Sequence, residues 1–326
     1  MPNDPDLADD TCIFSEAISG DVGVHNPNDT WWLSPDISLV GPISGPDRAD
    51  SGHVNPVQVK FHRKPAGSNC IFPGDENITT QLWVANPSLV MAPNNRASTA
   101  LVGFIRQPTP PEGGNATQPI DFTPRTGLSP DAPESAGFKC LVARCYPDSL
   151  TPSATSFFVP DDQHVVQHNI CVVPCGGPPV LTAPVPCSLE VTTLNPDPQN
   201  AQQITLRVVL DLKPTDFVRT VVGQRTKKVF AQPATTLPPA FGFDVSPLSA
   251  VVSDHSHPSV IPLRPPNFGQ PSFDAVVKLT PLQLIKFKFF ANLTKTNPGD
   301  FFIFHLTQIG PDNRVQGGLT VVMGKV

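Results

Sequence analysis

The chain contains few charged residues, no extended apolar stretch and no dense basic cluster. No segment of its 326 residues reaches the roughly eighteen consecutive apolar residues that a membrane-spanning helix needs. Charged residues make up 15 % of the chain and the formal net charge is −6, which argues against a basic nucleic-acid-binding surface. The sequence therefore predicts neither a membrane span nor a nucleic-acid partner.

Catalytic motifs are also missing from the sequence. The patterns Gly-x-Ser-x-Gly, His-Glu-x-x-His, Gly-x-Gly-x-x-Gly and the phosphate-binding loop do not occur. Residues 254–257 read Asp-His-Ser-His, but neighbours on one polar loop do not form a triad, whose base is presented from elsewhere in the fold. We therefore predict a non-enzymatic protein with no catalytic residue and no cofactor. The alternative is an enzyme of unfamiliar class built on His255 and His257.

The 41 prolines predict an all-β fold. Proline has no backbone N–H and a fixed φ, so it is excluded from the interior of helices and central strands. The segments between the prolines are strand-length, and many alternate apolar with polar residues, as in Lys-Phe-Lys-Phe at 286–289. We find no stretch of helical period longer than two turns, and we expect residues 220–230 to form a strand.

The distribution of strands and linkers predicts two tandem immunoglobulin-like β-sandwich domains with a polar N-terminal arm. The arm covers residues 1–30, the first sandwich 31–175, a Gly/Pro linker 176–187 and the second sandwich 188–326. The arm has one compact apolar spot, formed by Cys12, Ile13 and Phe14. Because this spot has no core of its own, it must pack on the same chain or on a neighbour, and we expect it to serve assembly.

The seven cysteines all lie at or before residue 187, which also favours two domains of different character. An odd number leaves at least one thiol free or available to another chain. The candidates for disulfides or reactive thiols are Cys70, Cys140, Cys171 and Cys175. Cys70 is a candidate partner for Cys140, whereas Cys140 and Cys145 face opposite sides of one predicted strand and cannot pair with each other. The connectivity stays open.

Several residues are of types that bind metals, but their spacing does not favour a metal site. His164 and His168 are four apart, which on a strand separates them by about 13 Å, too far for one ion. Cys171 and Cys175 have no matching second pair for zinc. Acidic loops at 4–10, 28–29 and 73–77 offer calcium ligands without the spacing of an EF-hand. We therefore predict no metal.

Motifs in the first half resemble a bacterial immunoglobulin-like module. They are Trp32 followed by Ser-Pro-Asp-Ile at 34–37, the turn Asn86-Pro87, Gly-Phe-Lys-Cys-Leu-Val-Ala-Arg at 137–144, and residues 161–170. Over residues 31–174 the chain is similar to the CARDB group, the cell-adhesion-related domains found in bacteria. It departs from that group at 86–88, where Asn-Pro-Ser replaces the usual Asn-x-Gly turn. The resemblance implies a non-catalytic adhesion or spacer role and supplies no catalytic residues.

Two functional hypotheses follow. The first is a structural or adhesive protein that forms a homo-oligomer or a repeating assembly through its sheet edges and its N-terminal arm. The alternative is a module that binds a glycan or another polymer through the first-domain loops, with Trp31 as the aromatic contact. Because Trp31 and Trp32 are adjacent on a predicted strand, at most one of them is exposed. We expect an extracellular or cell-surface location without a visible signal peptide, or alternatively a cytoplasmic one.

Overall fold

The structure is a computed structural model. It describes residues 11–41, 47–70, 77–150, 157–176, 187–227, 229–234, 239–244 and 271–326. In these residues there are nineteen strands, one α-helix and one 3₁₀ helix, so the predicted all-β fold is confirmed. None of the helices in the described part of the chain has the length and apolar character of a membrane span.

The chain divides into two compact units. The first contains the chain up to Asn86 and again Met91–Asn169, and the second contains Pro87–Val90 and Ile170–Val326. We expected the first domain to continue to residue 175. Instead, Ile170–Cys175 pairs in parallel with the last strand of the chain, so it belongs to the second unit.

Ten strands and the 3₁₀ helix form the first unit. They are β1 (Ile13–Phe14), β2 (Ile37–Leu39), β3 (Arg48–Ala49), β4 (Asn55–Arg63), β5 (Asn77–Ala85), β6 (Ala100–Pro108), β7 (Asn115–Phe122), β8 (Gly137–Phe138), β9 (Cys140–Pro147), the 3₁₀ helix Val159–Asp161 and β10 (Val165–His168).

These strands build two facing sheets. One sheet has the order β2–β4–β7, with β1 also paired to β4, and the other has the order β10–β9–β5–β6. Without the two-residue strands β1, β3 and β8, seven main strands remain. The sheet of β2, β4 and β7 faces the sheet of β10, β9, β5 and β6. This is an immunoglobulin-like order in which the fourth main strand, β6, pairs with the third, β5.

The core of the first unit lies between the two sheets. Strand β4 shows the expected alternation, with Val57, Val59 and Phe61 fully buried between more exposed neighbours. Ile78 and Leu82 on β5 belong to the same apolar cluster as these β4 side chains. The period of two in the sequence therefore reports the core face of the sheets correctly.

The N-terminal residues that the structure describes are not a detached arm. Ile13 is fully buried, and β1 pairs with β4 through Ile13 and Arg63. A disulfide joins Cys12 to Cys70, with 5.1 Å between their Cα atoms. The assembly role that we expected for Cys12, Ile13 and Phe14 is therefore corrected, because these side chains are buried in their own unit.

Nine strands and the α-helix form the second unit. They are β11 (Ile170–Cys175), β12 (Cys187–Leu194), β13 (Gln202–Leu210), α1 (Asp216–Thr226), β14 (Gln232–Pro233), β15 (Ala240–Asp244), β16 (Ser272–Leu279), β17 (Leu284–Asn292), β18 (Asp300–Ile309) and β19 (Val315–Lys325).

The second unit is also a sandwich of two sheets. The larger sheet has the order β11–β19–β18–β13–β16, with β14 beside β18, and the smaller has the order β12–β17–β15. Phe304 of the larger sheet packs edge to face on Phe241 and Phe289 of the smaller one, with ring centroids 5.3 and 5.1 Å apart. Strands β18 and β19 pair antiparallel and form a terminal hairpin.

One element contradicts the sequence prediction. Residues 220–230, expected as a strand, largely belong to α1, which runs for three turns. Thr215 caps its N-terminus by accepting a hydrogen bond from the backbone N–H of Val218. Val218, Val221 and Val222 are buried at helical spacing. The β-branched residues favour a strand, but the N-terminal cap and the helical spacing of the buried valines favour the helix.

Candidate functional site

Exposed apolar side chains single out the edge strand β6. Ten large apolar residues are exposed in the described part of the chain, and of these only Leu101 and Phe104 belong to a strand. Leu101 is 51 % and Phe104 67 % exposed. Contiguous apolar surface on a sheet edge marks a contact site in soluble proteins.

A bulge places these two side chains on the same face of the sheet. Leu82 of β5 lies opposite Gly103 while the next residue, Trp83, lies opposite Leu101, so Val102 is an extra residue on β6. In a regular strand, residues three apart point to opposite faces. Here Phe104 faces Gln81, and both Leu101 and Phe104 therefore lie on the outer face, away from the core residue Leu82.

Aromatic rings and a buried arginine pack next to this edge. Trp83, opposite Leu101, packs edge to face on Phe157 at a centroid distance of 4.8 Å. The buried guanidinium of Arg144 lies over both rings, 5.8 Å from Trp83 and 5.2 Å from Phe157. At the C-terminal end of β6, Arg106 forms an ion pair of 3.1 Å with Asp148. The exposed pair therefore lies beside packed aromatic rings, a buried arginine and an ion pair.

The chain covers other sheet edges with its own segments. Beside β10, the backbone N–H of Ser34 donates to Gln167 and Leu33 forms a bridge to His168. Beside β12, the N–H of Leu89 donates to Thr192, which in turn donates to Pro87. Among the described residues β6 pairs only with β5. Strand β7 also ends a sheet, but the side chains it exposes are polar or proline.

The histidines weighed as metal ligands instead bind the protein. His164 contacts Asp162 through Nδ1 at 3.0 Å and Thr11 through Nε2 at 2.5 Å. Burial raises the pKa of Asp162, but the hydrogen bond and charge of His164 outweigh this and hold the pKa below its ordinary 3.8. His168 contacts the backbone oxygen of Ser34 at 3.1 Å. Both rings therefore fasten the N-terminal segment to the first unit.

One group of potential metal ligands was not foreseen from the sequence. Glu16, Asp36 and His62 bring their ligand atoms within 4.8 Å of one another. However, the Lys60 ammonium already lies 2.8 Å from Asp36 Oδ1, and His62 lies 2.9 Å from Oδ2. Since a buried carboxylate needs such compensation, this group is best explained as a structural ion pair.

The second unit contains another group that was not foreseen from the sequence, in which an acid, a histidine and a hydroxyl are arranged as in a catalytic triad. His305 contacts Asp211 through Nε2 and Thr320 through Nδ1, both at 3.0 Å. Burial raises the pKa of Asp211, but the hydrogen bond and charge of His305 hold it below 3.8. Thr320 is fully buried, so its hydroxyl cannot reach a substrate and cannot serve as a nucleophile.

The structure resolves the cysteines differently from the candidate pairing. Cys70 is joined to Cys12 rather than to Cys140, and Cys175 is joined to Cys187 across 12 residues. Cys140, Cys145 and Cys171 are buried thiols. Burial raises the pKa of the Cys145 thiol to about 12, so that thiol stays protonated and unreactive.

The proposed aromatic contact is not on the surface. Trp31 is fully buried and Trp32 is 5 % exposed, with their rings packed edge to face at 5.6 Å. The expectation that Trp31 binds a glycan is therefore corrected. The loop at 254–257 and the acidic loops at 4–10 and 73–76 lie outside the described residues.

Comparison with known proteins finds similar solved structures but no family model and no curated protein. Among solved structures the chain is similar to the collagen adhesin (CNA) from S. aureus, with a TM-score of 0.23 and 8 % identity over 89 % of this chain and 92 % of the other. It is also similar to the CupB6 tip adhesin from Pseudomonas aeruginosa, with a TM-score of 0.20 and 10 % identity over 89 % and 95 %.

A third similar structure is the B domain of a biofilm associated protein, with a TM-score of 0.17 and 8 % identity over 88 % and 83 %. TM-scores in this range do not establish a common fold. The case for a function therefore rests on the geometry of the chain itself.

Proposed function

We propose that this chain is a non-enzymatic adhesive or structural protein that binds its partner along the open edge of β6. The observation that carries the proposal is the exposure of Leu101 and Phe104 on one face of an edge strand. A partner strand added there satisfies the outward backbone groups of β6, and its side chains bury the exposed apolar pair.

The remaining features of the two units support a scaffold role. The buried histidine and carboxylate groups described above contact one another, Lys60, threonine side chains or backbone oxygens. The first unit also carries the motifs that resemble the CARDB group, whose members have adhesion or spacer roles. We assign the first unit to such modules.

Two disulfides support a location outside the cytosol. Cys12–Cys70 and Cys175–Cys187 each connect cysteines within one unit. Disulfides persist in oxidising compartments and are rare where cellular thiols keep cysteines reduced. We therefore place the protein at the cell surface or in the extracellular space.

An adhesion assay tests this function. Beads coated with the purified chain are incubated with intact cells of the producing organism, and bound beads are counted. Beads carrying Phe104→Lys should lose binding, whereas beads carrying Leu212→Lys should keep it, because Leu212 is comparably exposed at 55 % but lies in the second unit. Equal binding by the Phe104→Lys beads would contradict the proposed surface.

A further inference from the structure

The partner that β6 fits best can be read from the strand itself. Its exposed face presents two apolar side chains, Leu101 and Phe104, separated by the bulge at Val102. A partner strand that buries both side chains must place an apolar residue opposite each of them. A second copy of β6 can do so in one antiparallel register, because its own Leu101 and Phe104 lie on one face.

We propose that β6 pairs antiparallel with β6 of a second copy of this chain, with Leu101 opposite Phe104 of that copy. The inference rests on the proposed function and names its partner. In a two-fold pair, each contact occurs twice, so Phe104 also lies opposite the second copy's Leu101. Directly opposed side chains on one face are in contact, and both exposed residues become buried.

The same register avoids unfavourable contacts. Val102 lies opposite Gly103 of the second copy, and Gly103 lies opposite Val102. Each of the two central residue pairs therefore contains a glycine, which leaves room for the valine. Arg106 lies opposite residue 99 of the second copy, which places the two Arg106 side chains about 23 Å apart along the strands. The only charged side chains on β6 therefore do not meet across the two-fold axis.

Pairing at this edge also continues an existing sheet. The order β10–β9–β5–β6 would extend through the axis into the same four strands of the second copy. The result is an eight-stranded sheet, within the normal range for open sheets. Its far edges are the two β10 strands, which residues 32–34 already cover.

Sedimentation velocity on the full chain over a concentration series tests the partner. The wild type should change from monomer to dimer as concentration rises, and Phe104→Lys should weaken dimerisation by at least about tenfold. Leu212→Lys, a matched lysine substitution in the second unit, should dimerise as the wild type does. A wild type that stays monomeric at all concentrations overturns the inference, while the bead assay still decides the proposed function.

Disulfide trapping tests the register. The double variant Leu101→Cys, Phe104→Cys should form covalent dimers on mild oxidation, and peptide mapping should find residue 101 linked to residue 104. Each single variant should stay uncrosslinked, since neither residue faces itself. Efficient crosslinking of Phe104→Cys alone, or higher oligomers that persist in Phe104→Lys, would overturn the proposed pairing.

Discussion

Replacement of Gly317 by alanine should destabilise the second unit strongly. A Cβ atom at Gly317 would lie 1.9 Å from the backbone oxygen of Leu89, far inside van der Waals contact. That oxygen cannot move freely, because Leu89 N–H donates to Thr192 at 2.9 Å and Thr192 N–H donates to Pro87 at 2.8 Å. Relief of the clash therefore requires residues 87–90 to leave the edge of β12.

The magnitude follows from these two effects. Overpacking of a well-packed site costs about 1–3 kcal/mol. The loss of two backbone hydrogen bonds adds about 1 kcal/mol each. We therefore expect Gly317→Ala to lower the free energy of unfolding of the second unit by about 4 kcal/mol.

Two optical signals separate the units in a urea titration. All three tryptophans, Trp31, Trp32 and Trp83, lie in the first unit, so tryptophan fluorescence follows that unit alone. Far-ultraviolet circular dichroism follows both units. In Gly317→Ala the circular dichroism transition should shift to lower urea, while the fluorescence transition stays in place.

A second glycine provides the matched control. Gly223 lies inside α1, has no atom within 4 Å of an added Cβ, and does not need a positive φ. Gly223→Ala should therefore stabilise the same unit by up to about 1 kcal/mol through helix propensity. Wild-type stability in Gly317→Ala, or an equal loss in both variants, would refute the packing that we describe for residues 87–90.

Three further predictions concern the first unit. Cys12→Ser removes the Cys12–Cys70 disulfide, which spans 58 residues. It should lower the free energy of unfolding of the first unit, followed by fluorescence, by about 4 kcal/mol. An unchanged unfolding midpoint under non-reducing conditions would argue against the bond. Because the pKa of Asp162 is lowered by His164, its contribution to stability is present above pH 3.8 and is lost as the pH falls further. The stability difference between wild type and Asp162→Asn should therefore shrink on acidification, and a constant difference would contradict this. Gly103→Ala should lower the free energy of unfolding of the first unit by about 1–3 kcal/mol. The reason is that its Cβ would lie 2.7 Å from an isoleucine methyl group of β7. An unchanged melting temperature would mean that this contact is not tight.

The period-two pattern predicted most strands because it depends on nearby residues alone. Strands such as β4 and β17 alternate buried with more exposed side chains along their length. Strand β7 is hard to recognise in the sequence, because Pro119 interrupts it and residues 115–118, Asn-Ala-Thr-Gln, resemble a loop. Helix α1 was missed because its β-branched residues favour strands, and its N-terminal cap was not recognised.

The candidate site depends on contacts that the sequence pattern does not contain. The position of β6 at the end of its sheet follows from strand pairing, since among the described residues it pairs with β5 alone. The bulge at Val102 arises from the register between these two strands. Likewise, the apolar spot at Cys12–Phe14 looked like an assembly arm because its partners, Cys70 and β4, lie about fifty residues away in sequence.

Hydrogen–deuterium exchange at two protein concentrations tests the open edge of β6 most directly. At low concentration the outward amides of Ala100–Pro108 should exchange rapidly, since no other strand in the described part of the chain pairs with that edge. At high concentration these amides should become protected, while peptides from β7 and from the second unit stay unchanged. Exchange at β6 that is slow at both concentrations, or protection that arises elsewhere, would contradict a function carried by this edge.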